Sequence, residues 1–403
     1  MTETQEHTEA AYAGGVFDGM SNAIANDPQP VYAHLRKAGA VRVPGGVVAA
    51  TRHDVEEVFR EYERFTATAP IGRMGNARPL IPMELDPPVH RGYRKLLDHL
   101  FSPARVAELE ADVVALCNQL IDRFIDEPEI DFVARFSNLL PTQVFLTQLG
   151  LPIEELDHFL ELKDGAIRSN FILGVPYTDP AAIKYRMNNG TQIYAAFNAA
   201  LDERQKQPRA DLLSHFLEME LDGRRLTREE ILDICFLMLT AGLDTVSASL
   251  DCFFEYLANN PAHRTELVAD PGIAKNVVEE LLRWESPVQL ISRMGATQTE
   301  LSGCPVKKDD LIFILIGAAN TDAETVEDPD VVRFDREVNR HIAFGSGVHR
   351  CIGSHLARLE LRIALQEWHR RIPHYRVKPG TRVNHFTAVR SAESFQMELG
   401  VSS

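Results

Sequence analysis

Residues Phe344 to Gly353 read F-G-S-G-V-H-R-C-I-G, with one cysteine, Cys351, among three glycines, Gly345, Gly347 and Gly353. Upstream, His341 to Phe344 (H-I-A-F) has the apolar look of a strand end. Downstream, Leu356, Leu359, Ile363, Ala364 and Trp368 recur at helical spacing between His355 and Arg371. A glycine-rich turn therefore presents a thiol at or just before a helix N-terminus, where free N–H groups and the macrodipole favour thiolate. Glycine at three positions lets the backbone pass close to something flat and bulky. A buried structural cysteine is the plainer account of any single thiol, and the stretch by itself leaves both readings open.

Working outward, Asp86-Pro87-Pro88 reads as a helix start with proline in the first turn. His90 and Arg94 follow at i and i+4, so both project from one face. Such a pair is ordinarily solvated, but two cations on one face also suit a pair of carboxylates. Thr227 to Asn259 is the longest helical signal, opened by the capping box T-R-E-E. Its centre reads A-G-L-D-T, Ala241 to Thr245. A mid-helix glycine costs roughly 1 kcal/mol relative to alanine, and Asp beside Thr in an apolar run is costly unless paired. Two such oddities at one spot suggest that something is accommodated there. Asn276 to Trp284 carries Glu280-Leu281-Leu282-Arg283, an i,i+3 pair that alone is common surface decoration.

In order and spacing over residues 86 to 353, these motifs resemble the cytochrome P450 family, nearest to the soluble bacterial camphor-hydroxylase, terpene-oxidising group. The resemblance implies a mainly α fold with smaller β-sheets. In that fold, a triangular helical prism, haem b lies between the long central helix and the Cys-ligand loop, within a single domain over residues 1–403. It implies Cys351 as the axial thiolate of the iron and His90, Arg94, Arg293, His349 and Gly353 as further haem-binding positions. Gly242 would leave a groove for O2, and Asp244 and Thr245 would deliver protons through water. Glu280, Arg283 and Arg336 would lock the loop beneath the haem. Pocket positions are Arg78, Leu80, Leu237, Ala241, Val288, Leu290 and Val389, the last in the turn Ala388-Val389-Arg390-Ser391.

These positions are mostly apolar, which implies a small to medium hydrophobic substrate: terpenoid, fatty acyl or alkyl. The implied activity is a monooxygenase that places one atom of O2 in a C–H bond or double bond, with NAD(P)H electrons arriving through a ferredoxin and its reductase. A peroxide-using haem peroxygenase and a non-catalytic haem sensor stand as alternatives. Three positions depart from the family's pattern. Arg350 stands where an apolar or aromatic residue is usual, Ala319-Asn320-Thr321-Asp322 replaces A-N-R-D, and Arg78 stands where camphor-type enzymes hold a ketone with a tyrosine hydroxyl.

Lys plus Arg total 42 against 58 Asp plus Glu, for a formal charge of −16. That balance argues against nucleic acid or an anionic membrane as partner. An acidic ferredoxin would need a local basic patch, for which Arg340, Arg350, Arg358, Arg362, Arg91 and Lys95 are the candidates. Five scattered cysteines without a C-x-x-C pair fit a reducing cytosol and neither a zinc site nor a disulfide scaffold. The polar N-terminus has no signal or anchor pattern, so a cytoplasmic chain is expected. The apolar run Ile231 to Leu243 is broken by Asp233 and too short to span a bilayer. Residues 1 to about 28 read as poorly ordered or draped. A helix over Pro28–Gly39, a hairpin over Ala40–Thr51 and an aperiodic loop over Phe65–Pro82 follow. Asp211–Leu221 reads as helical.

Overall fold

A computed structural model describes residues 22–44, 46–68 and 74–401. The helices that matter for the site are α1 (Pro28–Ala38), α2 (Arg52–Arg60), α3 (Val89–Leu97), α4 (Leu156–Ile167), α5 (Pro180–Lys206), α6 (Arg228–Asn259), α7 (Ala274–Glu285) and α8 (Ser354–Arg371). The strands are β1 (Val41–Val43), β2 (Gly46–Ala49), β3 (Phe65–Thr66), β4 (Glu129–Asp131), β5 (Leu290–Gly295), β6 (Leu311–Leu315), β7 (Tyr375–Val377) and β8 (Gln396–Leu399). The described residues gather into two compact units. One holds the chain through Thr66, Val106–Ser137 and everything from Thr245 onward; the other holds Ala67–Arg105 and Asn138–Asp244.

In the first unit a five-stranded sheet runs β1-β2-β6-β5-β3, with β6 parallel to β2 and the other pairs antiparallel. Strand β6, L-I-F-I-L, is apolar throughout because both of its faces are covered. Ile312 and Ile314 join Val47, Val55, Phe59 and Phe65 in one core cluster, and Phe313 and Leu315 join Tyr32, Leu35 and Val48 in another. A second sheet, β7-β8-β4, accompanies an aromatic cluster in which the buried Trp368 of α8 meets Phe132, Phe136 and Phe254 at ring distances of 5.3, 5.0 and 5.0 Å.

Three expectations are corrected here. Most of the N-terminal segment lies outside the described residues, yet Asn22–Asn26 is a helix with Ile24 and Ala25 buried, so an apolar pair ties it down. His341 to Phe344 is a turn, because the Ile342 N–H is taken by the Asn320 side chain at 2.7 Å and no ladder forms. The helix at Leu212–Glu218 stops short of Leu221, and a small hairpin, Glu220–Leu221 with Arg224–Arg225, turns through Asp222 and Gly223 at positive φ.

In the second unit α4 packs against α5, and the Arg228–Asp244 half of α6 belongs to the same unit. Helix α6 opens with the capping box realised both ways: Thr227 N–H donates to Glu230 Oε2 at 2.7 Å and Glu230 N–H to Thr227 Oγ1 at 3.3 Å. It is the one helix among the described residues long and apolar enough to cross a membrane, and most of its apolar stretch is buried in protein. The segment from Met74 to Leu80 lies on α5. Gly75, at φ +83°, has its carbonyl against Gly190, and a Cβ on either glycine would strike the other's backbone or that of Arg186.

Candidate active site

Around Cys351 the backbone closes tightly. Cys351 N–H donates to Phe344 O at 2.8 Å and Gly345 N–H to Ile342 O at 2.8 Å. Gly345 and Gly347 both take φ +69°, a conformation that favours glycine. A Cβ on Gly347 would stand 2.6 Å from Phe59 O, so the loop is pressed against the end of α2. Helix α8 starts at Ser354 with Gly353 as its N-cap. Cys351 is exposed, and no described atom lies within 4 Å of where a Cβ on Gly345 or Gly353 would stand. A thiol beside a helix N-terminus, with bare backbone around it, fits the ligand side of a flat, bulky metal macrocycle. His349 ends the short 3₁₀ turn Gly347–His349. Arg293, half-buried on β5, donates to Ser292 O at 3.0 Å and stands over Phe59 at 5.9 Å.

The same unit brings three pocket positions together. Val288 and Val389 form an antiparallel bridge, and the Gln289 and Leu290 N–H groups donate to Ala388 O at 2.8 and 3.3 Å. Ala388, at φ +68°, makes the turn. Val288, Leu290 and Val389 are all half-buried.

Glu280 is buried and meets Arg283 through both oxygens at 2.8 and 2.9 Å; Arg336 Nε adds a bond at 3.0 Å. Burial works to raise the Glu280 carboxyl, but Arg283, the Arg333 N–H and Arg336 outweigh it and hold it below its ordinary value. Arg283 and Arg336 go on to donate to the carbonyls of Asn320, Glu327, Asp328, Pro329 and Val331. Asn339, which sequence reasoning missed, bonds the same carboxylate at 2.8 Å. The basic patch is thinner than expected. Arg358 is held by Glu279 at 2.6 and 2.8 Å, with His341 on the same carboxylate, and Arg362 meets Glu110 at 3.0 Å. Arg340 and Arg350 are exposed.

In the second unit His90 is buried on α3, and Arg94, one turn later, bonds Asp98 at 2.8 Å. Helix α6 is buried along most of this half, but Leu237 and Met238 are half-buried and Ala241 and Gly242 exposed. A Cβ on Gly242 would meet only Phe145, at 4.0 Å. Leu80, expected in the pocket, is instead sealed at 0% exposure, its N–H on Glu84 at 2.8 Å. Half-buried Arg78 pairs with Asp233 at 2.8 Å. Asp244 is buried and clamped by two cations that sequence reasoning did not find: Lys163 at 3.2 Å and Arg168. Burial alone would raise this carboxyl, but Arg168 and Lys163 prevail and hold it below its ordinary value. Lys163 carries a faint signal in the chain, a cation inside the apolar face of a helix.

A family model described as Cytochrome P450 matches residues 181–270 and 272–387, a little over half of the chain. Over 340 residues the chain is 34% identical to a probable cytochrome P450 127A1 of Sinorhizobium fredii, covering 84% of this chain and 79% of that one. It is 32% identical over 334 residues to a steroid C26-monooxygenase of Mycolicibacterium smegmatis, covering 82% of each. The solved structure of a myxobacterial cytochrome P450, CYP267B1, in complex with myristic acid matches with a TM-score of 0.84 at 29% identity, over 95% of this chain and 98% of that one. Mainly helical with small sheets, and alike in sequence and in fold to cytochrome P450 proteins, the chain belongs to the cytochrome P450 family of haem b monooxygenases that consume O2.

Proposed function

We propose that this protein hydroxylates, or epoxidises, an elongated hydrophobic molecule in the cytoplasm, taking electrons from NAD(P)H through a ferredoxin. Terpenoid, fatty acyl and steroid skeletons are its substrate classes. A relative named for steroid oxidation and a structural neighbour holding myristic acid support the last two. Haem b supplies O2 activation at an iron whose thiolate ligand favours O–O cleavage. Cys351 Sγ would be that ligand, and the bare backbone at Gly353 would let the ring approach. The family pattern assigns His90, Arg94, Arg293 and His349 to its propionates, which they would hold through charge-assisted hydrogen bonds. Gly242 leaves room for O2 beside α6, and the Thr245 hydroxyl passes protons. Asp244, held ionised by Lys163 and Arg168, is a reluctant proton acceptor, so relay through it requires the clamp to loosen. The Glu280–Arg283–Arg336 knot fixes the backbone after α7.

The observation that carries this reading is the exposed Cys351 thiol in its glycine loop ahead of α8. The reduced, CO-bound protein is expected to show the red-shifted Soret band of a thiolate ligand, and Cys351→Ala to lose it. A histidine-type spectrum in the intact protein would overturn the ligand assignment.

A further inference from the structure

The turn Ala388–Ser391, which carries Val389, is held by residues from remote parts of the chain. Arg390 is buried, and its guanidinium reaches three elements. Nε donates to Ala25 O of the short helix Asn22–Asn26 at 2.7 Å, and Nη1 donates to Glu285 Oε2 at the end of α7. Nη2 stands 3.7 Å from Glu255 Oε2 on α6. The backbone of Arg390 is taken as well: its N–H donates to Pro287 O at 2.7 Å, and its carbonyl accepts from Cys252 Sγ at 3.1 Å. One residue beyond the turn, the Ala392 N–H donates to the buried Asp251 carboxylate at 2.9 Å.

The Asn22–Asn26 helix grips both sides of the Val288–Val389 bridge. On the Val389 side, Ala25 O takes Arg390, and Asn26 Oδ1 accepts from the His385 N–H at 3.2 Å. On the Val288 side, Ile24 O accepts from Gln289 Nε2 at 2.7 Å. Three successive residues thus hold segments that lie 265 to 365 positions later. Burying a guanidinium is costly unless charges and hydrogen bonds offset it. Here the groups that offset it also restrain backbone that needs restraint. Ala388 stands at φ +68°, a conformation costly for a residue with a Cβ and kept only where its surroundings fix it. A planar fork of N–H donors fixes direction as well as charge, which a flexible ammonium does not. Neither Arg390 nor the N-terminal helix has to touch a substrate to act in this way, since each works through Val288 and Val389.

We infer that Arg390 is a positioning residue through which the Asn22–Asn26 helix sets the pocket wall at Val288 and Val389, and so the shape of molecule admitted beside the iron. This rests on the monooxygenase reading above. The test uses the full-length, haem-loaded protein and two iron ligands read by Soret shift. Imidazole is too small to reach the wall, whereas the phenyl ring of 4-phenylimidazole must pack against it. The wild type is expected to bind 4-phenylimidazole more tightly than imidazole. Arg390→Lys keeps a cation for Glu285 and loses the fork. It should cut that preference roughly tenfold, the scale of one side chain's apolar contacts, with imidazole affinity unchanged. Ile24→Asp, which undocks a buried side chain of the N-terminal helix and leaves residue 390 unaltered, should cut it likewise. Leu120→Ala, a core truncation in the helix Glu110–Asp122, controls for lost stability and should keep the preference. An unchanged preference in Arg390→Lys or in Ile24→Asp, an equal loss in Leu120→Ala, or no preference in the wild type would overturn the inference. A normal thiolate Soret band alongside any of these results would leave the monooxygenase reading standing. Its absence in the wild type would remove that reading, and the inference with it.

Discussion

At Asp244 two buried cations compete with burial over the state of one carboxyl, and the cations win. Asp244→Asn would leave Lys163 and Arg168 facing each other without a counter-charge. Removing one partner from a buried pair costs about 3–5 kcal/mol, so a urea midpoint well below the parent's is expected. Because folding depresses this carboxyl's pKa, the clamp stabilises the protein above the ordinary carboxylate range. That contribution should fade as pH falls through the folded value. Urea titrations from neutral to acid pH check the sign: parent and Asp244→Asn should converge as acid is added. Thr245→Ala removes a hydroxyl and no charge, so it should keep the CO spectrum and substrate shift. It should lower product and raise peroxide per NAD(P)H, and unchanged coupling would mean that protons travel by another route.

At the scale of elements, the Met74–Leu80 segment owes its place to α5. Gly75 and Gly190 bring two backbones into contact that any side chain would separate. Gly190→Ala puts a methyl against the Gly75 carbonyl, and overpacking of that kind costs about 1–3 kcal/mol. A lowered melting temperature is expected, with weaker ligand binding because Arg78 rides on the same segment. The helices themselves were legible in the chain. The capping box at Thr227 and the glycine closing α1 at Gly39 mark their ends by local chemistry. The small hairpin after Glu218 was not legible, because each of its strands is two residues long and carries no periodicity.

For the whole molecule, a charge of −16 sets the terms on which an acidic donor can dock. Arg358 already belongs to Glu279, whose carboxyl burial would raise but Arg358 and His341 hold at about 2. Arg358→Glu should therefore lower stability at neutral pH, and the loss should shrink as pH falls from the ordinary carboxylate range toward about 2, where the parent also protonates Glu279. Arg340→Glu, at an exposed position, should slow reduction by ferredoxin and leave the melting temperature close to the parent's. Reduction should slow with salt as well, since about 0.1 M ionic strength screens charge beyond roughly 10 Å. Salt-independent rates would place docking on apolar contacts. The chain by itself determined its family, its helices, the cysteine loop and the A-G-L-D-T step, because each is written in contiguous residues whose spacing is set by local geometry. Only the tertiary structure decided that Lys163 and Arg168 own Asp244, that Arg78 faces Asp233, that Glu279 takes Arg358 out of the basic patch, and that Leu80 is sealed. The charge pairings join residues between 76 and 155 positions apart, and pairing at such distances follows from packing that no local period encodes.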